Sequence, residues 1–446
     1  MNVVLLSRIQ FALTIAFHYI FPPISIGLGV ILAVMEGLYL KTKNPLYERM
    51  TKFWVKIFGL VFAIGVASGI VMEFQFGTNW SYYSRYVGDV FGSALAAEGV
   101  FAFFLESGFL AVLLFGWKRV GPRMHFFSTL MVALGAMFSA IWIVVANSWM
   151  QTPAGYHIVG DGLRQRAEIT DFWALVFNPS SMDRLLHVLL GAWQTGAWLV
   201  ISVSAYYLLR KRFEDFAKAS IKIALVVAML TSVLQLFSGH SSAILVSKYQ
   251  PAKLAAMEGV YEKSAPAGMW LVGYVNEPRE KVLGLGMPNL LSLMVHFNPS
   301  TPVPGLRSFP SKDRPPVQAT FQAYHFMVMI GMGLIGLSAL GCFLWWRGKL
   351  FETSLVLKLF VIAVIGPQLA NQFGWMTAEI GRQPWIVYGL LRTEQGVSRV
   401  VSSGAVLTSI LLFTCVYALL LFLFLFLLNQ KIQTGPVEDP GTSQAA

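Results

Sequence analysis

The sequence predicts an all-α polytopic membrane protein of nine transmembrane helices packed in helical bundles, with the N-terminus outside and the C-terminus cytoplasmic. Three observations carry this reading. Hydrophobic residues make up 56% of the 446-residue chain and charged residues 12%, about half the charge that soluble domains carry. Mean hydropathy is +0.62. Apolar runs long enough to cross a bilayer recur between clusters of charge. This composition excludes a cytosolic enzyme, a disordered chain and a disulfide-stapled secreted domain. The two cysteines, Cys342 and Cys415, lie in apolar runs and say nothing about redox compartment. No Cys-x-x-Cys-His stretch is present, which excludes covalent c-type haem. The net charge of +11 is spread over loops between spans, so it reads as a topology signal and not as a nucleic-acid surface.

Gaps between charges define the spans in order. Arg8 to Glu36 encloses the first, Lys56 to Glu73 the second, and Asp89 to Lys118 the third, which contains Glu98 and Glu106. Met124 to Asn147, Arg184 to Arg210, Lys222 to Ser247, Pro316 to Arg347, Lys358 to Glu379 and Arg399 to Lys431 give the rest. Lys and Arg gather in the loops after odd-numbered spans, for example Lys118, Arg119 and Arg123, and Arg210, Lys211 and Arg212. Those loops are cytoplasmic by the positive-inside rule. The long first span, with no small-residue cleavage site, is not a removed signal peptide. The chain therefore divides into spans one to six (1–240), an outer loop (241–315), spans seven to nine (316–430) and a polar, disordered cytoplasmic tail (431–446). The outer loop is too long to be an idle connection. Within it, Pro251 followed by Lys253, Leu254, Met257, Glu258 and Tyr261 predicts a short amphipathic helix.

Ionisable residues inside spans are costly and mark functional sites. His18 falls near the outer end of span one and His187 near the outer end of span five. Histidines in helical bundles hold haem, although a lone imidazole also serves by bonding a neighbouring carbonyl. Span seven offers His325 and Met327, which are two residues apart and so point in roughly opposite directions; only one of them can face His187 across a haem. Glu98 and Glu106 are eight residues apart, an offset of about 80° on an α-helix. On a helix without Lys or Arg they suit a proton relay, against the blander reading of pairs with cations on other helices. Glu379 and Arg382 form an i, i+3 pair ending at Pro384, with Trp375 one turn earlier. An interfacial ion pair with an aromatic belt is the plain reading of that stretch.

Seven stretches, taken together, resemble subunit I of the cytochrome bd quinol oxidases. They are Leu-Ser-Arg-Ile-Gln-Phe-Ala-Leu-Thr at 6–14, Met-Glu-Phe-Gln-Phe-Gly-Thr-Asn-Trp-Ser at 72–81, Ala-Glu-Gly at 97–99, Phe-Phe-Leu-Glu-Ser at 103–107, Ala-Asn-Ser-Trp-Met-Gln-Thr-Pro at 146–153, Lys-Leu-Ala-Ala-Met-Glu at 253–258 and Gly-Arg-Gln-Pro-Trp at 381–385. The resemblance implies a multi-pass subunit of the bacterial cytoplasmic (inner) membrane. Such a subunit oxidises membrane quinol and reduces dioxygen to water, separating charge by vectorial protons without pumping. It implies three haems: a low-spin haem b, a high-spin haem b, and a haem d or further haem b. His187 and Met327 would ligate the low-spin haem, and His18 and Glu379 the two high-spin haems. Glu98 would lie at the oxygen site and Glu106 on its proton route. Lys253 and Glu258 would bind and deprotonate quinol in the outer loop, the Q loop of the family. Trp375 and Arg382 would lie beside or between the haems. Partners implied are subunit II and small single-helix subunits. Two features depart from the pattern. The Q loop is short, and His325 stands where an arginine is expected two residues before the ligand methionine, leaving His325 as a second candidate ligand.

Two other classes compete. A haem b electron carrier would lack open iron, and a carboxylate-coupled secondary transporter would use Glu98, Glu106 and Glu379 without haem.

Overall fold

The computed structural model describes residues 2–436, apart from the side chains of Glu73 and Leu163. Nine helical segments among the described residues are long and apolar enough to cross a membrane. The first is broken. α1 (Val3–His18) starts on an Asn2 cap, and α2 (Phe21–Thr42) carries prolines in its first turn. Pro22 and Pro23 cannot supply helical N–H bonds, so the axis breaks at Tyr19–Ile20. His18 thus sits at a break inside a 40-residue segment and not near its outer end.

α3 (Pro45–Thr78) is the second span. After the short α4 (Ser81–Tyr86), the third span is α5 (Gly88–Ala97), a π-helical stretch at Glu98–Phe103 and α6 (Phe104–Phe115). α7 (Pro122–Gln151) is the fourth. A hairpin, β1 (Tyr156–Val159) with β2 (Arg166–Ile169), and α8 (Phe172–Val176) lead to α9 (Ser181–Leu209) and α10 (Glu214–Tyr249).

The outer loop opens with α11 (Pro251–Met257). This helix was expected to be amphipathic; instead it is buried on every side, Lys253 included. An antiparallel hairpin follows, β3 (Met269–Asn276) with β4 (Lys281–Met287), then α12 (Leu290–His296). Span seven contains α13 (Val317–Trp346). Span eight is α14 (Ser354–Ala363) continued by α15 (Ile365–Ile380). β5 (Trp385–Val387), β6 (Leu391–Arg392) and α16 (Thr393–Gly396) connect to the last span, α17 (Ser403–Thr434). The expected disordered tail from 431 is helical as far as Thr434. Tyr207 and Arg212 bind the Ile432 and Gln433 carbonyls there. Residues 437–446, which carry the rest of that expectation, lie outside the described residues.

The main apolar core sits toward the ends that carry the basic loops. Trp54, Trp198, Tyr207, Phe216 and Phe360 are fully buried there. Helices α2 and α9 cross at Gly27 and Gly196, where a Cβ on either would fall within 2.6 Å of the other's backbone. Small residues of this kind let membrane helices approach closely. A buried polar lock ties the first and fourth spans: His125 Nδ1 lies 2.6 Å from Glu36, and Thr129 donates to the same carboxylate at 2.5 Å. With the apolar core at one end, the opposite half of the bundle is left for polar groups and a cavity.

Candidate functional site

One cavity of about 1590 Å³ occupies that half of the bundle. It exceeds the 300–1,000 Å³ of a pocket for one drug-sized ligand. All ten residues singled out in the sequence line it: His18, Glu98, Glu106, His187, Lys253, Glu258, Met327, Trp375, Glu379 and Arg382. His325 does not.

Four of the ten are seated against glycines of neighbouring helices. A Cβ on Gly69 would lie 3.2 Å from the His18 ring, on Gly374 3.0 Å from Met327 Sδ, on Gly239 3.6 Å from the His187 ring, and on Gly135 2.9 Å from Glu106 Cβ. At Gly69, Gly374 and Gly135 a Cβ would crowd the facing side chain, whereas at Gly239 it would make ordinary van der Waals contact with the His187 ring. Trp375 packs on Tyr19 with centroids 5.9 Å apart, next in sequence to His18.

Hydrogen bonds set the tautomers of His18 and His187. His18 Nδ1 lies 3.0 Å from Ser68 Oγ, whose hydroxyl donates to the Gly65 carbonyl at 2.9 Å. Ser68 can then only accept from Nδ1–H, so the ring lone pair is on Nε2. His187 Nδ1 makes the same bond to Ser238 at 2.8 Å, and Ser238 donates to the Gln235 carbonyl. Gln235 Nε2 lies 3.0 Å from His187 Nε2. A metal on that nitrogen takes the place of this bond.

A polar chain joins the outer loop to the cavity. Lys253 Nζ donates to Gln151 Oε1 at 2.6 Å, and Gln151 Nε2 donates to Glu379 Oε1 at 3.2 Å. Asn147 donates to the same oxygen at 3.1 Å, and Arg382 donates to Glu379 Oε2. Arg184 donates to Asn147 at 2.5 Å. Burial, reinforced by Arg184 and Arg382 and opposed by Glu379, holds the Lys253 ammonium well below its ordinary value. Cations outnumber carboxylates in this buried cluster, and Arg382 Nη1 has no partner among the described residues.

Glu258 is 1% exposed. Burial pushes its carboxyl up to about 8, while the Tyr324 hydroxyl and the Trp270 backbone N–H donate to it and pull the other way. Its Oε2 is buried without a partner among the described residues. On the third span, Ser139 donates to Glu98 Oε1 at 2.5 Å. The π-helical stretch from Glu98 to Phe103 overturns the 80° count, because its wider turns reset the register before Glu106. Both carboxylates still face the same cavity. Sequence reasoning assigned no part to Gln151, Asn147 or Arg184. The 146–153 stretch contains two of them, but nothing in it marks their contact with Glu379.

The family model described as cytochrome bd terminal oxidase subunit I matches residues 6–436. The chain belongs to that family. It is 40% identical to the cytochrome bd ubiquinol oxidase subunit 1 of Bacillus subtilis (strain 168), covering 98% of this chain and 95% of the relative. It is 36% identical to the cytochrome bd-II ubiquinol oxidase subunit 1 of Escherichia coli (strain K12), covering 98% and 97%. A solved bd oxidase from Geobacillus thermodenitrificans matches with a TM-score of 0.90 at 28% identity, covering 98% of this chain and 99% of that one. The fold is therefore that of a bd oxidase subunit, a respiratory terminal oxidase component with haem as its cofactor, and the subunit designation implies a second subunit.

The residues fit haem. Two imidazoles present Nε2 lone pairs, a thioether and a carboxylate share their cavity, and surplus buried cations suit anionic haem carboxylates.

Proposed function

We propose that this chain is the haem-bearing catalytic subunit of a quinol:oxygen oxidoreductase of the bacterial cytoplasmic membrane, working with subunit II. The observation that carries this reading is the single cavity lined by all ten candidate residues. His187 and Met327 would hold a low-spin haem b. His18 and Glu379 would hold two high-spin haems, one a haem b and the other a haem d or further haem b. Haem would supply electron transfer where two protein side chains hold it and dioxygen reduction where one does.

The chain's own residues handle quinol and protons. Two quinols give four electrons and four protons, matching one dioxygen reduced to two waters. Glu258 Oε2, buried without a partner among the described residues, would accept a quinol proton, and Lys253 would hydrogen-bond a quinol oxygen. Lys253 would act beside Glu379, to which Gln151 links it. Arg382 would offset the Glu379 charge, and Trp375 would lie between or beside the cofactors. Protons for water would pass by Glu106 to Glu98 and Ser139. With basic loops inside and the 250–310 loop outside, quinol protons leave on the outer face while reduction draws protons from the cytoplasm. Membrane charge then builds without pumping.

The test uses the purified two-subunit complex. Quinol-driven oxygen uptake and a carbon monoxide shift of the reduced spectrum are expected. No haem bands would indicate the transporter. Haem bands without carbon monoxide binding would indicate the electron carrier.

A further inference from the structure

The first turns of α13 present Gln318, Gln322 and His325 at i, i+4 and i+7, on one helical face. Each meets the backbone of β3. Val275 N–H donates to Gln318 Oε1 at 2.8 Å, and Gln322 Nε2 donates to the Gly273 carbonyl at 2.8 Å. His325 Nε2 lies 2.9 Å from the Trp270 carbonyl. Three side chains thus rung the free edge of β3, whose other edge pairs with β4. The β3–β4 register slips between Trp270 and Val272, so the third rung secures the strand where its ladder is broken.

Both ring nitrogens of His325 face backbone carbonyls, so neither is turned to the cavity. Its Nδ1 faces the Phe321 carbonyl at 2.8 Å, its ring stacks on Phe321 with centroids 3.9 Å apart, and it lies outside the cavity lining. In an extended residue the N–H and C=O point to the same edge. At Trp270 the C=O takes the His325 bond and the N–H donates to Glu258. The residue before His325 in α13, Tyr324, donates to the same carboxylate. Fully buried Phe321 also lies against Gly259, in the positive-φ turn that follows Glu258.

We propose that His325 is a positioning residue of the quinol site: its bond to the Trp270 carbonyl holds the Trp270 N–H on Glu258 and so orients that carboxylate toward the cavity. The inference rests on the reading of Glu258 as the quinol proton acceptor. The groups facing Glu258 are Tyr324 from α13 and the Trp270 main chain from β3, with Lys253 five residues earlier on α11.

The test compares the native complex with His325→Phe, His325→Gln and Glu258→Gln. Phe keeps the ring stack without a donor, whereas Gln carries an amide N–H at about the reach of Nε2. The readouts are the haem spectrum and the pH profile of kcat/KM for quinol. His325→Phe should keep the low-spin haem spectrum and lose about tenfold in kcat/KM, the scale of one hydrogen bond. Its pH limb should move alkaline, because a displaced Trp270 N–H no longer favours the carboxylate. His325→Gln should restore both. Native kinetics in His325→Phe with Glu258→Gln inactive would overturn the inference and leave the quinol site standing. Loss of the low-spin spectrum in His325→Phe, or a Gln variant as impaired as Phe, would also overturn it. Native kinetics in Glu258→Gln would instead remove the underlying reading.

Discussion

Replacing Glu258 by Gln, alongside a pH titration of the native complex, perturbs the proton acceptor most directly. The carboxyl is pushed to about 8 by burial, against about 4.3 for an unperturbed Glu. At about 1.4 kcal/mol per unit, ionising it inside the fold costs roughly 5 kcal/mol more than ionising it in water. About a tenth is ionised at pH 7 and about a hundredth at pH 6, taking ionisation as one decade per unit. If ionised Glu258 takes the quinol proton, kcat/KM should climb about tenfold per unit from pH 6 and level off above about 8. Glu258→Gln should flatten the profile and lower the plateau by 100-fold or more, the lower range for a positioned base. Stability runs the other way. A folded value above the unfolded one adds stability that is fully present below the unfolded value and is lost as pH rises through about 8. The Gln variant should therefore melt higher than native protein above pH 8. The assay is oxygen uptake at fixed oxygen with quinol varied, paired with a thermal melt. A native limb centred near pH 4–5, or a Gln variant that keeps the limb at 8, would refute the reasoning.

Three further outcomes follow from the same geometry. His187→Ala should abolish the low-spin spectrum and leave high-spin haem, and Met327→Leu should convert low-spin haem to high spin; unchanged bands in Met327→Leu would remove Met327 as ligand. Glu106→Gln should slow oxygen reduction by about 100-fold, within the range for proton-transfer groups, and spare quinol reduction of the low-spin haem in stopped flow. Normal turnover with full haem content would leave Glu106 a structural residue. Gln151→Leu cuts the bridge between Lys253 and Glu379 and should cost about tenfold in kcat/KM for quinol, as one buried hydrogen-bonded link; an unaltered value would show that the bridge plays no part.

Much of this architecture was legible because the bilayer enforces it. Uncharged runs between basic loops marked every span, and costly ionisable groups such as His18, Glu106 and Glu379 stood out against apolar neighbours. Other features depend on contacts between distant segments. The break beside His18 was announced only by Pro22 and Pro23, which a span count passes over. The π-helical stretch at 98–103 has no composition of its own, and the eight-residue spacing of Glu98 and Glu106 was misread as α-helical. Arg184 looked like a boundary cation, yet it is turned inward to Asn147 beside Glu379. Gln318, Gln322 and His325 are three residues of span seven that mean little until β3 lies against them.

The central claim is that this large cavity houses the haems of an oxidase on His18, His187, Met327 and Glu379. The most direct measurement is a pyridine haemochrome assay, expressed per chain, on the purified complex and on its His18→Ala, His187→Ala and Glu379→Ala variants. The account predicts three haems per chain in the native complex and a deficit in each variant, with the low-spin component missing only from His187→Ala. A native complex without haem, or variants that all retain the native count and spectrum, would contradict it.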